Sequence, residues 1–328
     1  MAKTRAKRSF GRALLHVILW LIVIVLLLAA AFYVIPLTEH ADVTAVEGSE
    51  KWMAAMPDNL TLSEIAIPGT HDSATKYVQL AFFSKCQSKT IGGQLESGYR
   101  YLDIRLGAEG NRLKLMHGFT NCKIGALPWS QNLYLEDVLS DCYAFLEANP
   151  SETILFAVKQ EHGDENAAEF EALLKSCIDQ NPERWLLTDH IPTLGESRGK
   201  MVLLRRWEGN LGVPLLWEDQ GGSDDVSLNT VSAGQGSYTL WVQDRFCYGT
   251  EDKWTAFTTG IVDSRADSEN AAIQFLSTKG TWTYGHPYSF AKKLNPLLLT
   301  MSLPDHPGWI VVDFASAALA EHIYSTNF

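Results

Sequence analysis

Glu64-Ile65-Ala66-Ile67-Pro68-Gly69-Thr70-His71-Asp72-Ser73 is a short apolar-rich run that breaks abruptly into a turn carrying a histidine and an acid. Bounded by Pro-Gly, Glu64–Ile67 reads as a buried strand with a polar exit. Working outward, the pattern recurs. Tyr99–Leu106, Leu113–Met116, Thr153–Lys159, Met201–Arg206, Thr239–Gln243, Thr281–Tyr284 and Trp309–Asp313 are further candidate strands. Helical spacing fills several gaps, as in Tyr134–Ala148, stopped by Asn149-Pro150, and in Glu165–Cys177, with Phe170, Leu173 and Leu174 on one face. This alternation predicts an α/β fold, either a βα barrel or a doubly wound sheet. Eight strands favour a (β/α)8 TIM-type barrel, and the short join between the second and third leaves little room for a helix, so the barrel is expected to be distorted.

Barrel enzymes carry their chemistry at the carboxyl ends of the strands. Here those ends are polar: His71 and Asp72 follow the first, Asp103 and Arg105 lie in the second, and His117 closes the third. Lys159 ends the fourth with Glu161 beyond it, Arg205-Arg206 end the fifth, Asp244 follows the sixth and Asp313 ends the last. Two histidines, several carboxylates and several cations on one face suit a phosphodiester, whose transition state needs a base, an acid and cationic support for its oxygens. Histidine titrates near neutrality and serves as either base or acid. Arg105 is always protonated and fork-shaped, which suits a phosphate oxygen; an ion pair with Asp103 is the structural alternative for it.

The amino-terminal region sets the chain's relation to a membrane. Ala13–Leu37 is almost continuously apolar, and 25 residues at roughly 1.5 Å each exceed a hydrocarbon core of about 30 Å. A cleaved signal peptide has a shorter apolar stretch, and here the run continues past the small residues Ala29-Ala30-Ala31, so an uncleaved anchor is expected. His16, near one end of the span, can reach the interface. The first twelve residues hold Lys3, Arg5, Lys7, Arg8 and Arg12 without an acid, which puts residues 1–12 in the cytoplasm and everything after the span outside. The domains expected are a 1–12 basic tail, a 13–37 anchor, a 38–50 polar linker and a 51–328 barrel. With the formal charge at −11 overall, the part after the basic tail bears −16. So acidic a body lacks the basic footprint of a nucleic-acid binder. The five cysteines show no paired metal-ligand spacing, leaving a zinc site unsupported and a Cys86–Cys122 disulfide as an open guess.

Seven segments resemble the catalytic X region of bacterial phosphatidylinositol-specific phospholipase C. They are IPGTHDSAT (Ile67–Thr75), CQSKTIGGQLESGYRYLDIRL (Cys86–Leu106), LMHG (Leu115–Gly118), NPSETILFAVKQE (Asn149–Glu161), RGKMVLLRRW (Arg198–Trp207), VQDRF (Val242–Phe246) and GWIVVDF (Gly308–Phe314), in family order. The resemblance implies a distorted (β/α)8 barrel. It implies His71 as general base toward the inositol 2-hydroxyl with Asp313 as partner, His117 as general acid assisted by Asp72, and Arg105, positioned by Asp103, on the phosphate oxygens. Lys159, Arg206 and Asp244 match positions that contact inositol hydroxyls, with Arg205 as the alternative to Arg206. Phe246 stands where bacterial members commonly present a tyrosine for the sugar ring, which leaves the head group open.

Diacylglycerol and inositol 1,2-cyclic phosphate are the products implied, from phosphatidylinositol or a glycan-linked form of it. Arg105 stands where calcium-dependent relatives place an acid, so the resemblance implies no metal, with calcium as the alternative. Two other readings compete. A metal-dependent glycerophosphodiester-type phosphodiesterase would recruit Glu64, Asp72, Asp103 and Glu161, and an idle inositol-lipid-binding barrel would keep the pocket without turnover. Val78–Phe83, next to the catalytic turn, reads either as an interfacial anchor or as a short helix packed on the barrel.

Overall fold

The computed structural model describes residues 2–162, 165–221, 231–281 and 285–328, without side chains for 2–10 and 231–233. Its strands are β1 (Ile67–Thr70), β2 (Tyr101–Glu109), β3 (Arg112–His117), β4 (Thr120–Asn121), β5 (Ile154–Gln160), β6 (Trp185–Leu186), β7 (Met201–Arg206), β8 (Val213–Pro214), β9 (Val231–Gly234), β10 (Thr239–Gln243), β11 (Asn270–Phe275) and β12 (Trp309–Val312). The helices are α1 (Ala2–Val34), α2 (Ala81–Ser84), α3 (Ile91–Glu96), α4 (Leu135–Ala148), α5 (Ala167–Ile178), α6 (Leu194–Ser197), α7 (Thr250–Asp263), α8 (Pro287–Thr300) and α9 (Ala317–Tyr324).

The strands run in the order β6-β7-β5-β2-β1-β12-β11-β10-β9, curling into the expected distorted barrel. Neighbours from β6 to β10 are parallel, and β9 closes the far edge antiparallel to β10. Among the described residues no backbone pairing joins β8 to β9. Instead the Gln235 side chain spans the gap, exchanging bonds of 3.1 Å with the backbone N–H and carbonyl of Leu216.

Two apolar layers hold this shell. Tyr101, Leu155, Ala157, Val202, Leu204 and Val311 belong to one, while Leu102, Ile104, Phe156, Val158 and Leu203 belong to the other, with α4 and α5 against them. Both faces of each stave are therefore buried, which is why the staves read as continuous apolar runs. Gly69 is needed inside β1: a Cβ there would sit 3.0 Å from Tyr101 and 3.1 Å from Val311.

Several expectations need correcting. The first stave is Ile67–Thr70, not Glu64–Ile67: the Glu64 carboxylate accepts from the Thr61 N–H and hydroxyl at 2.8 Å, closing a turn before the strand. Leu113–Met116 lies in a strand, but β3 pairs antiparallel with β2 as a hairpin and is no stave. Thr281–Tyr284 lies outside the described residues apart from Thr281. The stave between β10 and β12 is Asn270–Phe275, whose Ala-Ala centre carries little β preference. Cys86 and Cys122 are both buried free thiols. Finally, the stretch read as a linker is folded onto the barrel, with Glu39 and Ser49 buried and the Ala41 N–H donating to Ser88 Oγ at 3.0 Å.

Candidate active site

Side chains alternate across a strand with period two, and this decides which polar residues reach the barrel interior. On β2, Asp103 and Arg105 share the face of Tyr101. On β5, Lys159 shares the face of Leu155 and Ala157, and on β7 Arg206 shares that of Val202 and Leu204. Arg105, Lys159 and Arg206 are consecutive register partners across three neighbouring strands, so three cations stand in one row. Arg205 is on the opposite face and donates to the Trp207 carbonyl at 3.0 Å, so of the two arginines Arg206 is the one that joins this row.

Carboxylates separate the cations. Arg105 meets Asp103 at 2.9 Å, Asp72 at 2.9 Å and Glu161 at 3.2 Å. Arg206 meets the other Asp103 oxygen at 2.9 Å, and Lys159 meets Glu161 at 3.2 Å. Burial alone would raise Asp103, but Arg105 and Arg206 hold it below the usual carboxylate range. Glu161 is lowered too, because Arg105 and Lys159 outweigh its burial.

The histidines sit where strand register places them. Thr70 pairs with Val312 in the β1–β12 ladder, so the next residues on each strand, His71 and Asp313, emerge side by side. His71 Nδ1 lies 2.8 Å from Asp313 Oδ1, and His71 Nε2 lies 3.2 Å from Asp72 Oδ2. Burial pulls the His71 pKa down, but the Asp72 and Asp313 carboxylates outweigh it and the net shift is upward. His117 closes β3, and its Nδ1 lies 3.0 Å from the Ser84 carbonyl and 3.3 Å from Asp72 Oδ2. A carbonyl can only accept, so this nitrogen carries a proton and Nε2 is left for chemistry. The rings stand edge to face with centroids 6.3 Å apart.

Asp72 and Phe314, just past their strands, have φ of 42° and 49°, a conformation that costs a non-glycine residue energy and is kept where the surroundings enforce it. Gln87 enforces it. Its amide donates to the His71 and Val312 carbonyls at 2.9 Å and accepts from the Ala315 N–H at 3.1 Å, tying both turns together.

The remaining expected residues lie toward the β10 side. Asp244 accepts from Trp217 Nε1 at 3.2 Å, and the Trp217 ring lies 3.9 Å from the Arg206 guanidinium, linking Asp244 to the row of cations. Phe246 is farther along that loop, with the Lys279 ammonium 5.3 Å from its ring centre. Sequence reasoning missed Gln87 and Trp217. Gln87 lay within a quoted segment, CQSKTIGGQ, as one polar residue among many; nothing in the stretch around Trp217 marks it.

His71, Asp72 and Cys86 offer ligand atoms within 4.8 Å of one another. Arg105 already holds Asp72 and occupies the centre of the acidic residues, so these donors fit a cation poorly. Glu64, which a metal cluster would recruit, bonds Thr61 in the turn that precedes β1 and so sits at the opposite end of that strand.

Known proteins resemble the chain in sequence and in fold. Residues 59–207 match the family model "Phosphatidylinositol-specific phospholipase C, X domain". A 1-phosphatidylinositol phosphodiesterase of Staphylococcus aureus (strain Newman) is 28% identical over 297 residues, covering 84% of this chain and 91% of the relative. One from Listeria monocytogenes is 29% identical over 301 residues, covering 85% of each. A solved structure of the S. aureus phosphatidylinositol-specific phospholipase C superposes with a TM-score of 0.71 at 25% identity, covering 85% of this chain and 98% of that one. The chain thus carries the X-domain match over residues 59–207 and, along 84–85% of its length, is similar in sequence and fold to bacterial phosphatidylinositol-specific phospholipases C.

Proposed function

We propose that the chain is a phosphatidylinositol-specific phospholipase C that splits its lipid by intramolecular attack. The observation that carries this reading is the pair of carboxylate-backed histidines beside a row of three cations. His71 Nδ1 donates to Asp313, so Nε2 takes the proton from the inositol 2-hydroxyl. That oxygen attacks phosphorus, the bond from phosphorus to the glycerol oxygen breaks, and protonated His117, held by Asp72, gives its proton to the departing diacylglycerol. The other product is inositol 1,2-cyclic phosphate. Arg105, positioned by Asp103, meets the charge that develops on the phosphate oxygens. Lys159, Arg206 and Asp244 take the inositol hydroxyls, and Phe246 offers a ring face to the sugar.

The chemistry needs no metal, since Arg105 supplies the positive charge that calcium would bring. The segment Gly11–Thr38 is long and apolar enough to cross a membrane. In our reading it is a single span, with residues 1–12 cytoplasmic and the barrel, residues 51–328, outside. The test is turnover of phosphatidylinositol by the full chain in liposomes with excess chelator, following the water-soluble product by phosphorus NMR. A cyclic phosphate signal is expected. Turnover only after calcium is restored would overturn metal independence, and a product that is never cyclic would overturn the mechanism.

A further inference from the structure

The amino-terminal helix does more than tether. Its outer end is fastened to the rim of the barrel beside the acid histidine. Phe32 packs edge-on to Phe82 at 4.8 Å and stacks with Phe83 at 5.9 Å, and the Tyr33 hydroxyl donates to the Ala126 carbonyl. Just beyond the helix, buried Lys85 donates to the Pro36 and Glu39 carbonyls at 2.5 and 2.8 Å. Glu39 pairs with His286 at 2.7 Å, and His286 stacks on Phe82 at 4.1 Å. These contacts hold the barrel at one orientation to the span.

Between helix and rim lies an apolar groove of about 550 Å3, walled by Ala29, Phe32 and Tyr33 on one side and by Leu80, Phe119 and Ala126 on the other. That size lies within the range of small-molecule sites. Leu80, Phe119 and Leu127 are each more than half exposed, an arrangement that water disfavours and lipid does not. One end of the groove is the membrane span itself. The other end adjoins the site: Thr120, in the groove wall, donates to the His117 carbonyl at 2.7 Å, and Ser84, whose carbonyl faces His117 Nδ1, precedes the wall residue Lys85.

We infer that this groove receives the acyl chains of a phospholipid drawn from the helix's own bilayer, so that the anchor is one wall of the substrate site. The inference rests on the phospholipase reading above and adds where the diacylglycerol part lies. The groove wall at Thr120 and Lys85 borders His117, the acid that protonates the departing glycerol oxygen, and the facing wall, Ala29 and Phe32, belongs to the span. The enzyme therefore works on the membrane that holds it.

Ala126→Trp and Ala29→Phe fill the groove without touching a catalytic group. Full-length protein in liposomes is assayed on long-chain phosphatidylinositol in the same bilayer and, separately, on a short-chain, water-soluble phosphatidylinositol. Filling the groove is expected to raise KM for the bilayer lipid about tenfold while leaving the soluble substrate unaffected. Unchanged kinetics on the bilayer lipid, or equal losses on both substrates, would overturn the inference. Failure of the wild type on the soluble lipid would instead remove the phospholipase reading. As a check that needs no variant, a lipid with a photoreactive acyl chain should cross-link to residues 29–36 and 119–127 of the wild type; cross-links confined to other segments would overturn the inference.

Discussion

Strand β2 is flanked or occupied by two ion-paired arginines five positions apart, and they have opposite fates. Arg100, at the amino end, is fully buried with all five N–H groups used. They go to Glu152 at 2.8 and 3.0 Å and to the carbonyls of Leu95, Tyr99, Ser49 and Glu50, while the Phe145 ring lies 4.6 Å from the guanidinium. Arg105, toward the carboxyl end, pairs with three carboxylates and keeps part of its side chain exposed. Its partner Asp72 has two buried oxygens at ion-pair distance from their neighbours, yet neither has a well-aligned hydrogen bond. A closed ionic cluster specifies the fold. An open one, in which Arg105, Lys159 and both histidines stay partly exposed, leaves its charges available to a ligand.

The contrast can be broken by substitution. The largest effect is expected at the open end: His71→Ala and His117→Ala should each lower kcat by about 10²–10⁴-fold, the span of general acid–base catalysis, with the thermal midpoint little changed. Appreciable turnover in either variant would remove the acid/base assignment. At the closed end Glu152→Ala leaves Arg100 buried without its counter-charge. It should cost about 3–5 kcal/mol in denaturant unfolding while the folded fraction keeps its kcat. If Glu152→Ala cost activity and His71→Ala cost stability, the comparison would be inverted and wrong.

A smaller effect separates the two faces of β7. Arg206→Ala should raise KM about tenfold, whereas Arg205→Ala, on the outward face, should leave KM within about twofold. The smallest effect is a shift in pH dependence. His71 has a raised pKa and must lose its proton to act as base, so the acid limb of the kcat/KM profile should lie above the ordinary histidine value of about 6.5. Asp313→Asn removes one of the carboxylates that raise it and should move that limb to lower pH. For stability the sign is the reverse: the raised pKa favours the folded state below about 6.5, and that contribution is lost as pH rises through the folded value.

Much of the site was legible because its residues sit next to strands with strong apolar signatures. His71, Asp72, Asp103, Arg105 and His117 fall in three compact segments, and Lys159 and Arg206 end two unmistakable β runs. Asp313 is 242 positions from His71 and lies outside the matched stretch 59–207; only the β1–β12 register brings it to 2.8 Å. Trp217, in a loop without regular pattern, and Gln87, a single amide that ties two turns, had no periodic signal to announce them. β11 was missed for a related reason: Asn-Ala-Ala-Ile-Gln-Phe has a single β-branched residue, Ile273, and opens on Asn-Ala-Ala, which carries little β preference.

By itself the sequence determined the class of the fold, the membrane-length apolar helix and the chemical types of the site, because each follows from local composition and period. Which arginine of a pair turns inward, that Asp72 lies within 3.3 Å of both histidines, and the docking of the anchor against the rim were decided only by tertiary structure. Those outcomes depend on strand register and on contacts between segments far apart in the chain, and a one-residue slip in register would have sent every one of those side chains to the other face.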